Sequence, residues 1–204
     1  MATLAELRAR LRTLLKDNSA EGYLWSDATL DLYLNDALRS YGRVFPRQRE
    51  ATVATVAGQR EYDLPSDCLS VVRVEVVDST NRASLLEGGD AAGTGYETYG
   101  GKLMLMPAPA ESGLTIATRY LAPHADLAAD EDTSTAPAAD EELLLAFACA
   151  EALQGLSLEE AKRQAFEGRS GQPAGTAAAL YRQQWETGIR RHGSGVRVGR
   201  LVSR

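Results

Sequence analysis

Cysteine is scarce: Cys68 and Cys149 are the only two in 204 residues, so no disulfide framework holds the chain and a packed core must do that work. Histidine is equally rare. His124 and His192 stand at no defined spacing from a nucleophile or from a Cys-x-x-Cys pair, which removes the usual metal-ligand and triad patterns. Long hydrophobic runs are also missing, since the longest, residues 143–150, falls far short of the roughly 20 residues that a membrane span needs. The N-terminus carries Glu6 and Arg8 where a signal peptide would carry an apolar core. Bases are outnumbered 22 to 28, for a net charge of −6, a balance that works against gripping nucleic-acid phosphates with the whole body. These absences describe a soluble protein of a reducing cytosol with no expected cofactor. Its 44% hydrophobic content and its length suffice to remove roughly 70% of the unfolded surface from water, as one domain or one domain with an insertion.

What is present is strong helix punctuation. Thr3-Leu-Ala-Glu6 has the capping-box spacing, and Leu4, Leu7, Leu11, Leu14 and Leu15 recur at three- and four-residue steps until Asp17-Asn18-Ser19, so a first amphipathic helix is expected. Ser26 caps a second, with Trp25 and Leu30 at the two positions of a hydrophobic staple. Leu30, Leu34, Ala37, Leu38 and Tyr41 form its apolar stripe, and Pro46 ends it.

The period then changes to two. Val53 and Val56 before Gly58-Gln59, then Tyr62 and Leu64, predict a hairpin, and residues 71–77 predict a partner strand. Residues 78–101 hold six glycines and little to bury, which predicts a long mobile loop. Residues 102–106 and 114–120 read as two strands joined by the proline-bearing hairpin loop 107–113. The count is about five sequential antiparallel strands.

From 123 to 142 there are seven acids and neither Lys nor Arg. Pro137 suits a helix start and Asp140, Glu141 and Glu142 its positive end. Residues 143–153 are apolar nearly all round, which places that helix at the centre of a bundle. Ser157-Leu-Glu-Glu160 repeats the capping spacing for a helix to Gly168. After the break at Gly171 and Pro173, Ala178, Tyr181, Trp185 and Ile189 step along a last one. The chain therefore reads as α+β, mainly α: a helical bundle from 1–49 and 137–189, an inserted small antiparallel β-sheet or barrel at 50–122, an acidic linker at 123–136 and an extended C-terminal arm at 190–204.

The chemistry-bearing candidates are few. His124 with Asp126 is a spacing that can orient an imidazole, but it reads more simply as a pair of solvated loop residues. Cys149 reads as a small core residue. The run 88–94 imitates part of a phosphate loop but lacks its lysine. Asp130, Glu131 and Asp132 lack the glycine and final glutamate of a calcium loop; they read as an acidic surface segment, with the alternative that they line a channel and repel a passing polyanion. The clearest signal is the charge split. Arg190, Arg191, Arg197, Arg200 and Arg204 are five bases without an acid, leaving 17 bases against 28 acids, or −11, in residues 1–189. Extended, those last fifteen residues reach on the order of 50 Å, and Val196, Val198, Leu201 and Val202 give them something to bury against a partner.

The order of elements, together with Trp25-Ser-Asp-Ala28, Leu34-Asn-Asp-Ala-Leu38, Tyr62-Asp-Leu-Pro65, Gly101-Lys-Leu-Met-Leu-Met-Pro107 and Thr115-Ile-Ala-Thr-Arg-Tyr120, resembles the head-to-tail adaptor (connector or gatekeeper) proteins of tailed bacteriophages over nearly the whole chain. The resemblance implies a non-enzymatic virion protein, made in the host cytoplasm and placed in the neck. It implies a homo-oligomeric ring, typically of twelve copies, with the portal protein and a tail or nozzle protein as partners, and double-stranded DNA passing through without sequence-specific binding. On that reading Arg190, Arg191, Val196, Arg197, Val198, Arg200, Leu201, Val202 and Arg204 form the portal-binding arm. Loop 81–101 or loop 107–113 meets the tail. Two other readings stand beside it: a nucleic-acid-binding module using the arginine tail, and a small hydrolase or lyase using His124.

Overall fold

The computed structural model describes residues 1–18, 22–78, 80, 82–88, 95–158 and 174–193. It divides into two compact units, one of Met1–Phe45 with His124–Arg204 and one of Pro46–Pro123. Four helices and two antiparallel sheets among the described residues make it an α+β fold.

The first unit is helical. Helix α1, Leu4–Leu15, starts on the expected capping box: the Thr3 hydroxyl accepts from the Glu6 amide and the Glu6 carboxylate accepts from the Thr3 amide. Leu4, Leu7, Leu11 and Leu15 are buried, whereas Leu14 falls off the stripe and is exposed. Helix α2, Asp27–Val44, is capped by Ser26 and ends before Pro46. Trp25 and all five stripe residues from Leu30 to Tyr41 are buried. Between the helices, the Arg12 guanidinium reaches the Asp17 carboxylate at 2.6 Å, the Asp27 carboxylate at 2.6 Å and the Trp25 carbonyl at 3.0 Å, with the Tyr23 ring stacked on its outer side at 3.7 Å. Asp17, fully buried, also accepts from the Leu24 amide at 2.7 Å. Burying both charges is tolerable because each is hydrogen-bonded as well as paired.

Helix α3, Glu141–Leu158, follows the single 3-10 turn Ala138–Asp140. It packs against α1, α2 and the last helix α4, Ala174–Gly193, the central place that a helix without a polar face must occupy. Ser157 lies inside α3, so its capping spacing starts no helix there; the helix expected to run on to Gly168 lies outside the described residues. Ala177, Ala178, Tyr181, Trp185 and Ile189 of α4 pack on the shared core. Gly188 lets α4 come close to α3: a Cβ there would sit 2.0 Å from a Leu143 methyl.

The acidic stretch is not a free linker. Residues 124–137 form a strap on the helical unit, in which the Leu4 amide donates to the Asp132 carbonyl, Ala5 to Asp130 and Ser134 to Ala2. Asn35 donates to the Leu127 carbonyl at 3.0 Å and accepts from the Leu127 amide at 2.8 Å. Proline and acid content described the composition of this segment but not the α1 and α2 groups that bind it.

The described residues of the second unit hold seven strands: β1 Arg47–Ala54, β2 Glu61–Asp63, β3 Ser70–Val77, β4 Ala83–Leu86, β5 Gly95–Tyr99, β6 Lys102–Met106 and β7 Thr115–Ala122. They form a four-stranded sheet in the order β1-β7-β3-β4 and a three-stranded sheet in the order β2-β6-β5, all pairs antiparallel. Three expectations are corrected. Strand β1 pairs with β7, and β2 pairs with β6, so residues 53–64 are no hairpin. Strands β6 and β7 belong to different sheets, so 107–113 is a crossing loop. Residues 78–101 contribute β4 and β5 where a loop was expected. The buried core here is Tyr62, Val74, Leu103, Leu105 and Ile116. Gly95, at φ +131°, allows β5 to pass the Glu87 carbonyl, which a Cβ would meet at 2.1 Å.

Candidate functional site

The arm residues begin on a helix. Arg190 and Arg191 sit in the last turn of α4, Arg190 within 3.6 Å of Glu186 one turn back, so the chain is helical where extended structure was expected at 190–193. Lysine- and arginine-bearing last turns are favoured by the negative end of the helix dipole, which the charge split alone did not reveal. Val196, Arg197, Val198, Arg200, Leu201, Val202 and Arg204 lie outside the described residues, as do residues 89–94 of the phosphate-loop imitation.

The three acids of the strap have separate tasks. Asp130 takes a hydrogen bond from Arg8 at 2.8 Å, and Arg8 also clasps Asp31 with two bonds. Asp132 accepts from the Ala128 and Ala129 amides, which hold its carboxyl below the usual carboxylate range. Glu131 is exposed.

Both readings of the His124 and Asp126 pair are corrected. His124 is buried. Its Nε2 faces the Phe45 carbonyl at 3.0 Å, and since a carbonyl only accepts, Nε2 carries a proton. Its Nδ1 meets the Thr135 hydroxyl at 2.7 Å. Asp126 turns away and holds Arg39 at 2.7 and 3.1 Å. The imidazole ties the strap to the end of α2, and Gly42 leaves room for it, with a Cβ there only 3.0 Å from the ring. Cys149 is fully buried, and that burial pushes its thiol up to about 12; Cys68 is half-buried.

One polar cluster was not visible in the sequence. Asp140, buried at 4% exposure, accepts from the Tyr41 hydroxyl at 2.5 Å, and burial raises that phenol above its ordinary range. His192 of α4 brings Nδ1 to 3.1 Å from the other Asp140 oxygen. Tyr41, Phe45 and His124 are in ring contact around it. Its members come from four separate stretches of chain, and the only local signal, an acid just before a helix, reads as dipole compensation. Nearby, α1, α3 and α4 leave an open groove of about 670 Å³, lined by Arg10, Leu14, Glu142, Leu145, Tyr181 and Gln184 among others. Arg10 there is already held by Glu141 at 2.7 Å. Among the described residues no group of His, Cys, Asp or Glu side chains is arranged to hold a metal ion, and no helix is long and apolar enough to cross a membrane.

Comparison with known proteins now bears on this geometry. The family model described as SU10 adaptor protein matches residues 2–202. A solved structure described as the neck of an empty GTA particle, computed with C6 symmetry, aligns with 69% of this chain and 74% of its own at 15% identity and a TM-score of 0.33. No curated protein matches the sequence.

Proposed function

Because the chain belongs to the SU10 adaptor protein family, as its resemblance to phage adaptors led us to expect, we propose that it is a structural, non-catalytic head-to-tail adaptor of a tailed phage particle. Copies of it, twelve in a closed ring, sit in the virion neck beneath the portal, join it to a tail or nozzle protein and let double-stranded DNA pass. The single observation that carries this is the family match itself, which runs over residues 2–202 and so takes in both units. The chemistry agrees: the polar groups that converge do so to tie helices together. Exposed Leu14 and Leu180 and the open groove supply apolar surface for neighbouring copies.

In this reading the arm from Arg190 to Arg204 binds the portal, with arginines on portal carboxylates and Val196, Val198, Leu201 and Val202 in its grooves. Asp130, Glu131 and Asp132 face the channel and keep the passing phosphates from sticking. A loop of the β unit meets the tail. Native mass spectrometry of the purified chain, alone and with its portal ring, tests the proposal. Monomers or loose oligomers are expected alone and a closed ring with the portal, because the arm gains a folded target only there. Deleting residues 194–204 should abolish capture; capture that survives the deletion, or no capture by the cognate portal, overturns it.

A further inference from the structure

We propose that Asp140 and His192 form a protonation-sensitive latch that fastens the end of α4 to the helical unit and so fixes the point from which residues 194–204 continue. The inference deepens the arm reading and rests on it for its use, but the latch itself is a property of the isolated chain. Asp140 has anchors that do not involve α4. It lies in the 3-10 turn ahead of α3, and the Tyr41 hydroxyl occupies one carboxylate oxygen. The other oxygen, Oδ1, is buried and has no aligned hydrogen-bond donor among the described residues. A buried acceptor left in that state is costly, and the group placed to relieve it is His192 Nδ1 at 3.1 Å. The His192 ring is edge-on to Phe45, with centroids 6.3 Å apart and planes at 71°. Its side chain is 45% exposed, which gives solvent protons access to it.

The neighbouring charges leave this pair distinct. From α2, Tyr41 stays a neutral donor because burial raises its phenol. From the strap, His124 is turned to Phe45 and Thr135. From α3, Glu141 is taken by the Ala2 amide and Arg10, and Glu142 shares a groove wall with His192. From α4, Arg190 is directed to Glu186, and Arg191 stands beside His192. An imidazolium presents an N–H and a positive charge to Oδ1. A neutral ring can present a lone pair instead, which repels it. The latch is therefore closed by the protonated ring and loosened by the neutral one.

Hydrogen–deuterium exchange of the full chain tests this, with rates corrected for intrinsic chemistry and compared at about pH 5.5 and about pH 8, on either side of the ordinary histidine range. Amides of residues 189–193 are expected to exchange about two- to fivefold more slowly at the lower pH, the scale of a half-exposed ion pair, while those of residues 34–38 in α2 do not change. The difference should vanish in His192→Gln, an exposed position that leaves folding intact, and in Asp140→Asn, which keeps a partner for Tyr41. A pH difference that persists in either variant, or none in the parent chain, overturns the latch. Failure of the arm reading would show separately, as portal capture indifferent to loss of residues 194–204.

Discussion

The two units are held by different means. Among the described residues, the helical unit closes over a core of twenty buried ones and adds charged groups inside it: Arg12 spans Asp17, Asp27 and the Trp25 carbonyl, and Asp140 and His124 fasten the strap and helix ends. The β unit closes over five among the described residues, and ion pairs such as Arg49 with Asp67 and Arg119 with Glu50 lie at its surface. Polar ties are thus expensive to break in one unit and cheap in the other, and shape-critical backbone takes their place in the second. Arg12→Ala against Arg49→Ala sharpens this most. The first leaves Asp17 buried and unpaired and should cost about 3–5 kcal/mol in a urea titration; the second should cost under about 1 kcal/mol. Equal losses would erase the distinction.

A smaller effect is expected at Gly95. Gly95→Ala forces a Cβ against the Glu87 carbonyl at a φ that side chains resist, so a loss of about 1–3 kcal/mol is expected, seen as faster amide exchange in β5. Unchanged exchange would show that the backbone there has slack. The smallest effect concerns acid. The Asp27 carboxyl sits below its usual range because Arg12 hydrogen-bonds it. A lowered folded value means that its stabilisation is present above the unfolded value and is lost as pH falls through the folded one. Because Asp27 is largely exposed, its share should be under about 1 kcal/mol, lost below about pH 4, and absent from the acid titration of Asp27→Asn.

The helices were legible where the signals are local. Thr3, Glu6, Ser26 and the leucine stripes specify their own starts and buried faces within four residues, and the unbroken apolar run of α3 carries its central position with it. The sheets were legible only as strand-like segments. Val53 faces Ile116 across β1 and β7, and no residue near Val53 encodes that choice over the nearer Tyr62. Glycine content misread 78–101 because Gly95 serves a close backbone passage, not a flexible link. The site residues fared worse. Tyr41 and Asp140 are 99 positions apart, and the fold alone makes the small pocket in which a tyrosine, two histidines and an aspartate meet.

The paired bonds between Asn35 and Leu127 have one more implication. A side-chain amide that both gives and takes at the same residue imitates one rung of a ladder, so it reads position and not merely proximity. The segment from 128 to 133 is thereby measured at both ends, by Asn35 on one side and by the bond from Ser134 to Ala2 on the other. An added residue between them cannot be absorbed by sliding; it must be thrown outward as a bulge, at the very place where the three acids stand.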